Sequence, residues 1–231
     1  MHHDPQSYHR MHLATRRSNA AMVRGLYVII DPEHTRGRNL ITVAMAALDG
    51  GASAIQLRDK INNKSNILPF ARQITQLCEE RSAVCIINDH ADLAVACGAH
   101  GLHIGQHDLP ISEARHVLEP WQFVGTSNSR LEEALESYQR GADYIAVGAI
   151  CPSSSKDNTH PAGLETLHFV HQSIPADGPP LVAIGGITVR NVSQVIRAGA
   201  SSICVTAAVA LADDPASAAR TLIKHIQAAL I

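Results

Sequence analysis

Aromatic residues are scarce in this chain of 231 residues, where Phe, Trp and Tyr together make up 3%. A core with so few rings must be built from Ala, Val, Ile and Leu, the residues that pack parallel sheets against helices. Hydrophobic residues still make up 45% of the chain, which is enough to bury a substantial core. Since α/β barrels of this length form one undivided domain, a single domain is expected.

Paired cysteines are also lacking. The five cysteines are odd in number, widely spaced and never arranged as C-x-x-C. A disulfide framework is denser and usually even. We therefore expect reduced thiols in an intracellular, cytoplasmic protein.

Neither a strong net charge nor a long apolar run is present. The formal net charge is -2 and the pI is near 6.7, which gives no general field for attracting nucleic acid. No apolar run approaches the roughly 20 residues that span a bilayer. The composition thus predicts neither a nucleic-acid partner nor a membrane segment, and the basic residues must act locally.

Residues 1–24 precede the regular part of the chain and lack the apolar stretch of a secretory signal. The segment is basic, with Asp4 as its one acid. We expect an N-terminal extension that is either an extra helix or a loose tail, with an organellar presequence as the less favoured alternative. Residues 25–231 would form the catalytic domain, and the sequence does not decide between a monomer and a homo-oligomer.

From Gly25 onward, apolar runs alternate regularly with segments of helical periodicity. Eight apolar, β-branched runs occur, at 25–31, 53–58, 83–88, 101–105, 122–127, 144–150, 181–187 and 201–207. Segments with helical periodicity lie between them, such as the one that carries Ile67, Ile74 and Leu77. Four of the runs follow a Gly-Ala pair, at 51–52, 98–99, 141–142 and 199–200, where Gly can end a helix in the left-handed conformation.

Eight uninterrupted strand-helix units predict an α/β fold, a single (β/α)₈ TIM barrel with an N-terminal extension. A doubly wound sheet is the rival architecture, but eight regular units favour closure. In a barrel the catalytic residues sit at the carboxyl ends of the strands, so those ends predict the site.

Three aspartates stand just after successive apolar runs: Asp59, Asp89 and Asp108. Carboxylates that converge on one rim can hold Mg²⁺ beside a phosphorylated substrate, which indicates an enzyme. Asp59 lies between Arg58 and Lys60, so we expect it to pair with one of these cations and orient it. Asp89 and Asp108 remain as the predicted Mg²⁺ ligands.

Other polar residues follow the same strand ends. Arg58 and Lys60 are two cations that suit a diphosphate, and Lys156 adds a third after the sixth strand. The remaining candidates are Gln56, Asn88, Ser127, Ser153, Ser154 and Ser155. We interpret Ser127 as a hydrogen-bond donor, the alternative being a plain strand-end serine.

The last two strand ends predict a second anion site. Loops after strands seven and eight often bind phosphate in barrels, and glycines let the phosphate approach the main chain. Gly185 and Gly186 are followed by Thr188, an expected helix cap, and the eighth strand ends in Thr206 and Ala207. Two anion sites on one rim imply that two phosphorylated small molecules are joined.

The chain also resembles thiamine phosphate synthases, with motifs in matching order across roughly residues 25–215. The motifs are QLRDK at 56–60, INDHADLAVACGAHGLHIGQHDLP at 87–110, GTSNSRLEEA at 125–134, ADYIAVGAICPSSSK at 142–156 and AIGGIT at 183–188. Their order and spacing make chance agreement implausible.

The resemblance implies a transferase that joins 4-amino-2-methyl-5-pyrimidinylmethyl diphosphate to a thiazole phosphate and releases diphosphate. It implies Gln56, Arg58, Lys60 and Asn88 as ligands of the pyrimidine diphosphate, with Ser127 and Lys156 completing that site. It implies Mg²⁺ on Asp89 and Asp108, and a thiazole phosphate on Ser153, Ser154, Ser155, Gly186, Thr206 and Ala207.

Three positions depart from the family pattern. The sixth-strand loop usually reads T-x-T-K, and Ser153 and Ser155 keep the hydroxyls of its threonines. Ala207 stands where the family has a serine, which removes one side-chain donor to the phosphate.

Two rivals stay open on the sequence alone. A thiazole tautomerase is a related barrel that lacks the diphosphate and Mg²⁺ set, so the retained cations and acids count against it. A non-catalytic, ligand-sensing barrel is the second rival, and a sugar-phosphate isomerase is weaker because it needs no second anion site.

The histidines offer no convincing metal site. Cys97, His100, His103 and His107 have spacings that suggest zinc, but they run from a helix end through a strand into a loop. That path does not bring four side chains to one point, so we interpret them as strand and loop residues.

Overall fold

Parallel strands in the computed structural model close into a barrel in chain order, because the last strand pairs back to the first. The structure describes residues 5–152 and 161–230, with side chains from residue 10 onward. Its strands are β1 Gly25–Ile30, β2 Ala54–Leu57, β3 Val84–Asn88, β4 Gly101–Ile104, β5 Phe123–Asn128, β6 Tyr144–Gly148, β7 Leu181–Ile184 and β8 Ser202–Val205. The predicted (β/α)₈ barrel is confirmed.

Helices alternate with these strands over the described ranges. They are α1 Pro5–Ala21, α2 Leu40–Asp49, α3 Lys64–Glu80, α4 Ala91–Ala96, α5 Ile111–Val117, α6 Leu131–Gln139, α7 Gly163–Ser173, α8 Val192–Arg197, α9 Ala207–Ala210 and α10 Pro215–Ala229. A short 3₁₀ helix, Pro32–His34, follows β1.

Each predicted apolar run overlaps one strand: β5 ends one residue past its run, at Asn128, and the last three runs continue beyond their strands into the loops at the rim. The four Gly-Ala pairs also behave as predicted, because Gly51, Gly98, Gly141 and Gly199 all have positive φ angles. The chain therefore reverses from each of these helices into the next strand at a residue that lacks a Cβ.

Side-chain alternation along the strands separates two apolar layers. Leu26, Val28 and Ile30 of β1 face outward and pack in the layer between the strands and the helices. Tyr27 and Ile29 face inward and pack inside the barrel. The inner layer corrects the expectation of a purely aliphatic core, because Tyr27, Phe123 and Tyr144 are all fully buried there.

Two strand glycines make room for these rings. A Cβ on Gly101 would overlap the ring of Phe123, and a Cβ on Gly125 would overlap the ring of Tyr144. Tyr144 packs edge-on against Phe123 and Tyr27, with ring centroids 6.0 Å and 6.1 Å apart. Phe123 and Tyr144 thus lie where a neighbouring strand supplies no side chain.

Helix α1 covers the amino-terminal end of the barrel. Ala20 and Val23, at and just after its end, are buried in the inner layer. Arg16 of α1 lies 3.3 Å from Asp143, the residue before β6, and Asp143 also pairs with Arg115 of α5. Of the two predicted forms, an extra helix or a loose tail, the described part of the N-terminal extension therefore shows the helix.

No helix within residues 5–152 and 161–230 is both long enough and apolar enough to cross a membrane.

We expect Gly125→Ala to destabilise the barrel, because the added methyl group overlaps the buried Tyr144 ring. Overpacking of this kind costs about 1–3 kcal/mol in the free energy of unfolding, measurable by urea denaturation. The matched test is Gly125→Ala in a Tyr144→Ala background, where the ring is gone. The interpretation fails if Gly125→Ala costs the same in both backgrounds, since a direct overlap must be non-additive.

Candidate active site

A cavity of about 720 Å³ opens at the carboxyl ends of the strands. Its volume lies within the range of small-molecule sites. Five of the residues predicted from the sequence line it: Arg58, Ser127, Gly186, Thr206 and Ala207. The loops after β2, β5, β7 and β8 therefore converge on one space, as the barrel rule predicts.

A buried acid holds the first cation of this cavity. Arg58 Nη1 donates to Asp31 Oδ2, and Asp31 is only 2% exposed. The other oxygen of Asp31 accepts from the backbone N–H of Glu33 at 3.0 Å, and His34 Nδ1 lies 3.7 Å from Oδ2. Asp31 thus restrains the guanidinium of Arg58. Asp31, His34 and Arg58 all line the cavity.

The second cation pairs with a predicted metal ligand. Lys60 Nζ donates to Asp89 Oδ2. Asp59, in contrast, is buried and accepts from the backbone N–H groups of Ile61 at 3.1 Å and Asn62 at 2.9 Å. The expected pairing of Asp59 with Arg58 or Lys60 is therefore wrong, because its carboxylate stabilises the turn that follows β2.

The two predicted Mg²⁺ ligands follow neighbouring strands. The backbone N–H of Asp89 donates to His103 of β4 at 2.8 Å, so the residue after β3 lies against the strand that leads to Asp108. Asp108 Oδ2 accepts from the N–H of Gly105 at 2.7 Å, which leaves Oδ1 for another partner. Two carboxylates at adjacent strand ends fit Mg²⁺, which commonly takes one or two protein carboxylates and completes its shell with phosphate and water.

The loop after β7 forms the opposite wall of the cavity. Gly185 and Gly186 have φ angles of 100° and 65°, and a Cβ on Gly186 would lie 2.7 Å from the Cβ of Cys151. Asn191 stabilises this loop, since its Nδ2 donates to the carbonyl of Gly186 at 2.9 Å and its Oδ1 accepts from the N–H of Thr188 at 2.8 Å. Gly186 therefore has a backbone conformation and a close approach to Cys151 that only glycine tolerates, in a loop that lines the cavity.

Thr188 makes the hydrogen bonds expected of a helix cap, since its Oγ1 accepts from the N–H of Arg190 at 3.3 Å, but the turn that it caps precedes the regular helix. Helix α8 begins at Val192, and Asn191 occupies its N-cap position. Thr188 lies earlier in the loop and contributes its carbonyl, which accepts from the N–H of Val192 at 3.0 Å. The helix starts later than expected because the loop after β7 continues through residues 185–191.

Arg38 clamps the short helix that carries Ala207. Its Nη2 donates to the carbonyl of Ala210 at 2.7 Å and its Nη1 to that of Ala212 at 2.9 Å, while Nε donates to Thr35 at 3.0 Å. A helix of only four residues leaves most of its carbonyls without intrahelical partners. Arg38 stabilises its carboxyl end, and so holds Thr206 and Ala207 at the cavity.

A chain of hydrogen bonds crosses the barrel interior below the cavity. Gln56 Nε2 donates to Tyr27 Oη at 2.6 Å, and Tyr27 Oη lies 3.1 Å from Tyr144 Oη. His103 bridges the rest, with Nδ1 2.7 Å from Tyr144 Oη and Nε2 2.7 Å from Ser127 Oγ. The chain links two predicted site residues, Gln56 and Ser127, through three residues that sequence reasoning did not select.

Both tyrosines of this chain remain protonated. Burial raises the pKa of the Tyr27 hydroxyl well above its ordinary value, and Tyr144 raises it further. Burial likewise raises the pKa of Tyr144, against a smaller lowering by its hydrogen bond with Tyr27. Each hydroxyl therefore has one proton to donate.

Several other predicted residues have different positions. Asn88 lines a small recess of about 20 Å³ together with Gln56, His103 and Ser127. Ser153, Ser154, Ser155 and Lys156 lie outside the described residues.

Sequence reasoning missed five residues of the cavity and of the hydrogen-bond chain below it: Asp31, His34, Tyr27, Tyr144 and His103. Asp31 follows the first apolar run as Asp59 follows the second, so the strand-end rule could have found it. His103 occupies an inward position between Leu102 and Ile104 on a buried strand, and a polar side chain there signals a partner inside the barrel. The tyrosines had no such signal, because a strand tyrosine is ordinarily read as packing.

Comparison with known proteins gives a consistent result. Residues 26–209 match the sequence model of a family described as thiamine monophosphate synthase, TMP-TENI. A thiamine-phosphate synthase from Shouchella clausii is 41% identical over 88% of this chain and 97% of its own length. One from Methanoculleus marisnigri is 40% identical over 88% of this chain and 96% of its own length.

A solved structure agrees with these sequences. The thiamine phosphate pyrophosphorylase from Pyrococcus furiosus superposes with a TM-score of 0.83 at 32% identity. The superposition covers 92% of this chain and 99% of that one.

We expect Arg38→Ala to loosen the loop and helix at residues 206–213, because three backbone carbonyls lose a charged donor. Hydrogen bonds to charged groups contribute about 1.5–3 kcal/mol each, so the free energy of unfolding should fall by at least about 1 kcal/mol. Amide hydrogen exchange at 206–213 should also accelerate.

The matched control is Arg36→Ala. Arg36 pairs with Asp213, which is 97% exposed, and such surface pairs contribute less than about 1 kcal/mol. Equal exchange rates in the two variants would contradict the clamp.

Proposed function

The chain belongs to the thiamine monophosphate synthase family and is a transferase, and we propose that it joins 4-amino-2-methyl-5-pyrimidinylmethyl diphosphate to 4-methyl-5-(2-phosphoethyl)thiazole. The products are thiamine phosphate and diphosphate. The carboxylated form of the thiazole phosphate is a second candidate acceptor.

One observation carries the proposal. A single cavity is lined on one side by Arg58 and on another by Gly186, Thr206 and Ala207. The guanidinium suits a diphosphate, and the half-buried main chain of the glycine loop suits a phosphate on a second molecule. Two phosphorylated substrates held in one cavity are what a condensation requires.

The leaving diphosphate would bind beside Arg58 and Lys60. As the C–O bond to the pyrimidine methylene breaks, its electron pair goes to the diphosphate, whose negative charge grows. Arg58, restrained by Asp31, stabilises that charge without having to reorganise. Lys60 follows the same strand as Arg58, and its ammonium group donates to Asp89.

Asp89 and Asp108 are the residues that would hold Mg²⁺, and the ion when bound would neutralise charge on the diphosphate. Lys156 would add a further cation from the loop after β6. The proposal for the metal is supported by the two carboxylates at neighbouring strand ends.

The thiazole nitrogen would then form the new bond. Positive charge grows on the pyrimidine methylene, where the ring amino group delocalises it. The lone pair of the thiazole nitrogen attacks this carbon, while its distant phosphate is held by the loops after β7 and β8. No protein nucleophile is needed, and Ser127 acts as a hydrogen-bond donor to the pyrimidine substrate.

The direct test supplies both purified substrates to the protein with and without Mg²⁺. We expect thiamine phosphate and diphosphate to form in equal amounts, only when both substrates and a divalent cation are present. The thiazole phosphate alone serves as a control for isomerisation. Absence of thiamine phosphate with every divalent cation tried would refute the proposal.

The metal assignment predicts that Asp89→Ala and Asp108→Ala each lower turnover by more than about tenfold, since either change removes a ligand where charge develops. Steady-state rates over a range of Mg²⁺ concentrations measure this. Asp92→Ala is the matched control, because Asp92 follows the same strand but is 62% exposed and pairs with Lys64. Full activity in both Asp89→Ala and Asp108→Ala would rule out these ligands.

A cytoplasmic location stays a prediction from the sequence, which does not decide between a monomer and a homo-oligomer.

A further inference from the structure

We propose that Tyr27, Tyr144 and His103 form a positioning relay that holds His103 as its Nε2–H tautomer and so directs the hydroxyl proton of Ser127 into the cavity. This relay is a property of the free protein. Its effect on turnover rests on the proposed function.

The relay joins five strands through consecutive side-chain contacts. Gln56 on β2, Tyr27 on β1, Tyr144 on β6, His103 on β4 and Ser127 on β5 follow one another at 2.6, 3.1, 2.7 and 2.7 Å. Four of these residues are buried, and Ser127 is half-buried at the base of the cavity. The relay therefore runs from the barrel interior to the base of the cavity.

The amide of Gln56 sets the direction of the protons. Its Nε2 can only donate, so Tyr27 Oη accepts from it and directs its own proton onward to Tyr144 Oη. Tyr144 then donates to the next atom of the chain, His103 Nδ1. A ring nitrogen that accepts a hydrogen bond carries no proton, which leaves the proton of neutral His103 on Nε2.

Ring packing holds the relay in this geometry. The His103 and Tyr144 rings stack with centroids 5.7 Å apart and an interplanar angle of 17°. Phe123 lies edge-on to Tyr144, and the missing side chain of Gly125 makes room for its ring. A side-chain flip of Tyr144 would therefore need the packed interior to move.

The consequence appears at Ser127. His103 Nε2–H donates to Ser127 Oγ, so the hydroxyl proton of Ser127 is available to an acceptor in the cavity or in the adjoining recess. The opposite direction would make Ser127 donate to His103 and present only lone pairs. The relay thus decides whether Ser127 can bind an acceptor atom of the pyrimidine substrate.

The first test measures the tautomer in the free protein by two-dimensional ¹H–¹⁵N NMR with ¹⁵N-labelled histidine. We expect the ring nitrogens of His103 to report the Nε2–H form. In Tyr144→Phe, which keeps the ring and removes the hydroxyl, their shifts should move toward each other as the tautomers exchange. The control is Tyr138→Phe, on α6 outside the relay, which should leave the His103 shifts unchanged.

Two outcomes of this test overturn the relay. One is an Nδ1–H form of His103 in the unaltered protein. The other is an unchanged spectrum of His103 in Tyr144→Phe. Both are read without substrate, so failure of the proposed reaction leaves them informative.

The second test uses turnover and separates positioning from folding. We expect Tyr144→Phe and Ser127→Ala each to lower kcat by about tenfold or more, and the double variant to lose little beyond either single one. The KM for the thiazole phosphate should change little, because its site lies at the loops after β7 and β8. Additive losses in the double variant would overturn the relay, since independent roles predict a product of the two effects.

Melting temperatures accompany each variant. If Tyr144→Phe fails to fold, Tyr27→Phe replaces it, because that change interrupts the relay one step earlier. The expected loss of the fixed tautomer is then the same, and an unchanged His103 spectrum in a folded Tyr27→Phe overturns the proposal.

Discussion

The pairing of β8 with β1 is the constraint on which the rest of the molecule depends. Gly25 lies opposite Ser202 and Val28 opposite Val205, so the sheet has no open edge and its residues separate into an inner and an outer set. Because the sheet is closed, the side chains that alternate along each strand lie either inside the barrel or outside it. The outer set packs against helices, and the inner set meets residues of other strands and, at the amino-terminal mouth, Ala20 and Val23.

The fold was largely predictable because its signals are local. Apolar runs, helical periodicity and Gly-Ala pairs are each read within a few residues, and they predicted the eight strands and the barrel. The rim was predictable for a related reason: the rule that parallel strands present their carboxyl ends together needs only the strand order. Arg58, Ser127, Gly186, Thr206 and Ala207 all line the cavity on that basis.

Partner choice was not predictable, because it depends on contacts between distant segments. Asp59 is adjacent to two cations in sequence, yet Arg58 pairs with Asp31 across β1 and β2, and Asp59 stabilises its own loop. Thr188 caps a turn as its residue type suggested, but the regular helix starts only after Asn191. The interior chain through Tyr27, Tyr144 and His103 needs the barrel register, which places residues more than a hundred positions apart within hydrogen-bond distance.

Helix α1 makes the two ends of the barrel differ in their access to solvent. Ala20 and Val23 close the amino-terminal mouth, while the carboxyl-terminal mouth opens into the cavity. A proton, water or ion that reaches the inner polar residues therefore arrives through the carboxyl-terminal mouth, where the cavity lies. A substrate bound in the cavity would close the carboxyl-terminal mouth of the barrel. The interior hydrogen bonds would then lie in a low-dielectric medium, where they are strongest.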